Sequence, residues 1–141
     1  MNVLVKLIVV LMVSTLSASV TTETEIYTIT VTVKDAANNE GKIFLALYNS
    51  ETDFLDTIYK GTKSTITNNG CTVTFKDIPK GVYAISIFHD ENDNGKMDTN
   101  FVGIPKEAYG CSNNAKGFMG PPKWKDANFE LNANKTLTIA L

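Results

Sequence analysis

Arginine does not occur in this chain: all 13 basic residues are lysines, and they are scattered. Bidentate recognition of phosphate and guanine leans on the guanidinium fork, so no nucleic-acid partner is expected. Histidine occurs once, at His89. One imidazole without a thiolate pair argues against zinc. No G-x-S-x-G or paired Cys/His motif is present to use that imidazole as a base, so His89 reads as a structural residue at a strand end. Repeats, heptads and long amphipathic helices are absent as well. Cysteine occurs only at Cys71 and Cys111. Both a disulfide and two buried free thiols fit this pair; the bridge is the favoured expectation. Closing that loop would contribute on the order of 4 kcal/mol in the chain-entropy model.

No apolar run reaches the ~20 residues needed to cross a bilayer. The longest, Leu7 to Val13, follows Lys6 and precedes Ser14, Ser17, Ala18 and Ser19. This is the pattern of a signal peptide over residues 1–19, implying a secreted or periplasmic protein with no transmembrane segment after cleavage. Residues 20–141 then form one domain, long enough to bury its own core.

Strand patterns dominate that domain. Ile29, Val31 and Val33 alternate with threonines in Ile26–Lys34, the period of a half-buried strand. Lys42–Tyr48 is apolar on both faces and reads as central. The segments Ser64–Thr67 and Cys71–Phe75 flank Asn68-Asn69-Gly70 as a hairpin. Phe54, Leu55, Ile58 and Tyr59 predict a short helical turn or an anchored loop. Val82–His89 reads as the core strand, entered through the turn at Pro79 and Gly81, with Tyr83 placed to bond back across that turn. Asn100–Trp124 is a long excursion carrying Phe101, Tyr109, Phe118 and Trp124, read as covering one end of the fold. Two strands, 127–131 and 136–141, close the chain. The fold class expected is all-β: a single antiparallel β-sandwich, immunoglobulin-like or prealbumin-like, of about seven strands with one long irregular loop.

Chemistry concentrates after the core strand, in Asp90-Glu-Asn-Asp-Asn-Gly-Lys-Met-Asp98. Oxygen-bearing residues at alternate positions, followed by glycine, match half of a calcium loop. The expected ligands of a structural Ca²⁺ are Asp90, Asn92, Asn94, the backbone carbonyl of Lys96, and Asp98. Phe101 stands where an EF-hand has its bidentate glutamate, and no helices flank the loop, so Glu107 is the candidate that completes the site. Glu91 and Asp93 have the opposite parity and are expected to face solvent. With few carboxylates the affinity expected is weak, roughly 10⁻⁴ to 10⁻³ M. The alternative is a solvated Asp/Asn/Gly turn.

The ordered set Gly81–Asp98, Gly103-Ile-Pro-Lys-Glu107, Tyr109-Gly110, Ser112-Asn-Asn114 and Gly120-Pro-Pro122 resembles the bacterial exported family called domain of unknown function 2141. The resemblance spans essentially the whole mature chain and implies no assigned activity. Where that family usually has an aromatic after Tyr-Gly, this chain has Cys111, which would make a Cys71–Cys111 bridge local to this member. The segment Phe75-x-Asp-Ile-Pro-x-Gly-x-Tyr83 is also similar to prealbumin-like and collagen-adhesin B-type sandwiches. The expectation is therefore a calcium-stabilised binding or structural module of the cell envelope, non-enzymatic, with an envelope protein or glycan as partner. The alternatives are a calcium-assisted glycan hydrolase using Asp98 and Glu107, and a carbohydrate-binding module using Trp124.

Overall fold

Threonines alternating with β-branched apolar residues make Ile26–Lys34 the first strand, β1. Its Ile29, Val31 and Val33 side chains are buried. Thr30 and Thr32 on the opposite face meet Thr74 and Thr72, with hydroxyl oxygens 3.3 and 3.5 Å apart. The structure, a computed structural model, describes residues 22–141; the proposed signal peptide lies outside the described residues. Seven further strands follow: Lys42–Tyr48 (β2), Lys60–Ser64 (β3), Cys71–Pro79 (β4), Gly81–Asp90 (β5), Tyr109–Cys111 (β6), Phe129–Leu131 (β7) and Lys135–Ala140 (β8). A one-turn helix, Trp124–Ala127 (α1), precedes β7. No helix among the described residues is long and apolar enough to cross a membrane.

The strands form two sheets, ordered β4-β1-β8 and β3-β2-β5-β6, with β7 also paired to β5. One apolar core lies between them. Ile29, Val31, Val33, Phe75, Ile78 and Ile139 come from the first sheet. Ile43, Leu45, Leu47, Tyr83, Ile85 and Ile87 come from the second. Burying each such aliphatic side chain stabilises the fold by about 1.5–3 kcal/mol. The molecule is thus an all-β sandwich, as its alternating patterns predict.

Three details differ from the sequence reading. The described residues hold eight strands where about seven were expected, Tyr109–Cys111 being added at the edge of β5 through Ser86↔Cys111 and Phe88↔Tyr109. The hairpin expected around Asn68-Asn69-Gly70 is only an isolated bridge, Thr67↔Gly70. The chain there crosses between sheets: β3 pairs with β2, whereas β4 pairs with β1. Alternation shows that a strand has one buried face, but not which sheet receives it. Finally, β8 runs parallel to β1, with Val31 opposite Leu137, so the sandwich is not wholly antiparallel. The Phe54 region is a turn, closed by Thr57 N–H donating to the Asp53 carbonyl at 2.9 Å.

Tyr83 forms the expected corner: its ring is buried and its hydroxyl donates to the Pro79 carbonyl at 2.7 Å. The expected disulfide is not formed; both cysteines are free thiols. The sheet geometry explains why. Cys71 packs at the margin of the inter-sheet core, whereas Cys111 packs with Ala84 and Ala127 in a second, smaller cluster together with Phe54 and Trp124. That cluster belongs to the other face of β5, since Ala84 alternates with the core residues Tyr83 and Ile85. Burial pushes the Cys111 thiol up from 9.0 to about 11, and also raises Cys71.

Tyr83→Phe should cost about 1 kcal/mol in denaturant unfolding, the usual net value of a lost hydrogen bond. Because Cys111 keeps its proton more tightly when folded, its contribution is intact below pH 9.0 and is lost as pH rises toward about 11. Chemical denaturation across this window should show a stability decline that is shallower in Cys111→Ala. Native-state thiol labelling should modify Cys71 faster than Cys111 and leave no bridged species.

Candidate functional site

Two adjacent core strands deliver the site. β2 and β5 pair from Tyr48↔Ala84 to Lys42↔Asp90, so Asp90 ends the most enclosed strand of the fold. Asp90 and His89 are both fully buried, on opposite faces of β5. His89 Nε2 lies 2.7 Å from the Glu40 carbonyl. A carbonyl only accepts, so Nε2 carries the proton; Nδ1 is buried with no partner among the described residues. This is a structural histidine filling the end of the core, next to Ile43 in the paired strand.

Asp90 organises the loop that follows. One carboxylate oxygen accepts from Asn94 N–H at 3.1 Å and the other from Gly95 N–H at 2.7 Å. The Asn92 side-chain oxygen also accepts from Asn94 N–H, at 3.2 Å, and the Asn94 oxygen accepts from Lys96 N–H at 2.9 Å. Asn92 and Asn94 donate their amide groups to the Asp98 carboxylate at 2.7 and 2.9 Å. Each short side chain thus captures backbone or amide hydrogens a few residues ahead and curls the loop. Asp93 and Gly95 take positive φ, 54° and 78°.

Glu107 closes the site from across the excursion. Its two oxygens accept from Glu91 N–H at 3.2 Å and Asp98 N–H at 2.9 Å. Lys106 N–H donates to the Asp98 carbonyl at 2.8 Å, and Asn100 N–H to the Ile104 carbonyl at 2.9 Å. The intervening residues form a small hairpin-like return with a bridge at Thr99↔Pro105. The structure therefore brings Asp90, Asn92, Asn94, Asp98 and Glu107 into one bonded network. Lys96 enters through its backbone, and its side chain is exposed. Among the described residues, no three His, Cys, Asp or Glu side chains converge as a ready cation cage; these oxygens face N–H groups instead.

Glu91 and Asp93 point away from this network, as their parity requires. Glu91 accepts from the Asn38 amide at 3.2 Å. Asp93 pairs with Lys42 at 2.7 Å, and that hydrogen bond lowers the Asp93 carboxyl below its usual range. These contacts reveal a support that the sequence reading missed: the turn between β1 and β2 braces the acidic loop. Gly41 is its closest point. Its φ is +65°, and a Cβ there would overlap the Asp90 carbonyl oxygen. The run Asn38-Asn39-Glu40-Gly41 signals a turn, but only the β2–β5 register places it under Asp90.

Trp124 is not a free stacking platform. It is partly buried and meets Phe54 edge-on, with centroids 5.7 Å apart. Phe54 in turn meets Tyr48 at 5.4 Å. Phe101 and Phe118 are exposed rather than covering the end of the sandwich.

The family model described as "Uncharacterized protein conserved in bacteria (DUF2141)" matches residues 31–139. The chain belongs to that family. The match runs from within β1 into β8 and includes the acidic loop and its Glu107 closure. Searches of curated proteins and of solved structures find no match.

Gly41→Ala should destabilise the protein by roughly 2–4 kcal/mol, combining left-handed strain with overpacking against Asp90. Lys42→Ala should destabilise far less than Gly41→Ala, since its partner Asp93 lies in solvent, which screens the pair. Paired urea titrations would check the contrast.

Proposed function

We propose that this chain is an exported cell-envelope module with a binding or structural role, ordered by a calcium ion in the Asp90–Asp98 loop. One observation carries the reading. Asp90 and Glu107 are 0% and 9% exposed, yet neither forms an ion pair among the described residues, where the salt bridges are Lys42–Asp93 and Lys80–Glu25. Two buried carboxylates compensated only by N–H dipoles carry a desolvation cost that a cation would relieve.

The donor set fits a hard cation. Asp90, Asn92, Asn94, Asp98 and Glu107, with the Lys96 carbonyl, offer oxygen only, and calcium tolerates the irregular geometry of such a loop better than magnesium does. Each carboxylate oxygen that accepts one N–H retains a second lone pair. The ion would act structurally, pinning the excursion from Asn100 to Trp124 that serves as the contact surface. Export is supported by the apolar run Leu7–Val13 with small residues after it. A hydrolytic role for Asp98 and Glu107 is not favoured: a general acid must reach its substrate, and Glu107 is buried with both oxygens accepting from backbone.

Titrating calcium into chelator-treated protein should raise its melting temperature saturably, with half-effect at roughly 10⁻⁴ to 10⁻³ M. Asp90→Asn and Glu107→Gln should abolish the rise. A melting temperature unchanged through several multiples of that range would remove the calcium reading.

A further inference from the structure

The excursion holds two short turns side by side. Val102 and Ile104 from one, and Met119 and Pro121 from the other, border a single groove of about 870 Å³ on the outer face of β5. Both turns are internally braced. In the first, the Asn100 side-chain oxygen accepts from Val102 N–H and Ile104 N–H, each at 3.0 Å. In the second, Gly117 lies so close to the Gly120 carbonyl oxygen that a Cβ would overlap it, and Met119 takes a positive φ of 55°. These braced turns present apolar side chains to water. Phe101 is 99% exposed, Phe118 90% and Met119 95%.

Within the excursion itself the charges are mostly basic, while the acidic loop Asp90–Asp98 and Asp126 adjoin its two ends. Between Thr99 and Lys125 the chain carries Lys106, Lys116, Lys123 and Lys125, against Glu107 alone, whose carboxylate is folded inward. None of these lysines forms an ion pair among the described residues. The chain as a whole has a formal net charge of −2, so this lysine-bearing stretch contrasts with the rest of the sequence. Lys106 and Lys116 each lie two residues from an exposed apolar side chain, Ile104 and Phe118.

We propose that this end docks on an anionic lipid bilayer, with Phe101, Phe118 and Met119 entering the interfacial region and the lysines meeting lipid headgroups. Apolar side chains gain by leaving water, and lysines are drawn to an anionic surface within a Debye length. Rings exposed over nearly their whole surface have no surrounding walls of their own; a fluid interface requires no complementary shape, whereas a protein partner would. The pre-braced turns also remove most of the ordering cost of insertion. This deepens the contact role proposed for the excursion and rests on it, but does not depend on calcium.

The test is partition of the processed protein, residues 20–141, onto vesicles of phosphatidylcholine with and without phosphatidylglycerol, each with calcium and with chelator. Wild type should bind the anionic vesicles at least about tenfold more strongly and lose that preference at high salt. Phe101→Ser/Phe118→Ser should reduce binding about tenfold with an unchanged melting temperature, since both rings already lie in solvent. Lys116→Glu/Lys123→Glu should remove the preference for anionic lipid. Absence of vesicle binding in both calcium states would overturn the proposal, as would equal partition of the serine variant, or self-association through these turns without vesicle binding. A calcium-dependent rise in melting temperature without vesicle binding would overturn only the bilayer assignment and leave the calcium-ordered module standing.

Discussion

β5 is the constraint on which the other parts depend. Its inward residues Tyr83, Ile85 and Ile87 fill the core between the sheets, while Ala84 packs a second cluster on the outer face. One edge is paired along most of its length with β2, and the other is shared by β7 and β6. A strand enclosed in this way cannot shift register without exposing one apolar set, because a one-residue slip reverses every side chain. Asp90 inherits that rigidity. Its buried carboxylate is therefore held still while the following loop forms around it.

The consequences run outward in order. Asp90 captures Asn94 and Gly95 N–H, the loop turns back toward Asp98, and Glu107 ties its far side to Glu91 and Asp98. His89 N–H donates to the Ala108 carbonyl at 2.9 Å, which brings the chain alongside β5 so that Tyr109–Cys111 pairs as β6. The Ser112 hydroxyl then accepts from Ile85 N–H at 2.9 Å and donates to the Ala127 carbonyl at 2.6 Å. A long excursion is thus tied to the sheet at several points. What it leaves free are the two apolar turns, whose exposure is built by local hydrogen bonds rather than by weak packing.

Much of this was legible in the residues themselves. The alternation of Ile29, Val31 and Val33 marks a half-buried strand whatever sheet receives it. Pro79, Gly81 and Tyr83 encode their corner locally. The order Asp90, Asn92, Asn94, Gly95 encodes a curled loop because each short oxygen-bearing side chain reaches N–H groups only a few residues away. The parity argument that turned Glu91 and Asp93 outward follows from the same local geometry.

Other features depended on contacts between distant segments. Nothing local distinguishes a Thr67–Gly70 hairpin from a crossing between sheets, or an antiparallel last strand from the parallel pairing of β8 with β1. The strand pattern of Tyr109–Cys111 is too short to stand out from its surroundings. The two cysteines looked alike as a pair, but one borders the inter-sheet core and the other lies on the outer face of β5. Gly41 and Lys42 gained their significance from the register that sets them against Asp90. Strand periodicity, turn chemistry and the oxygen-rich composition of the loop are written in the residues, because these act over a few positions. Strand partners, the separation of the thiols and the joint burial of Asp90 with Glu107 arise in the assembled fold, because they depend on which faces meet when two sheets close on one core.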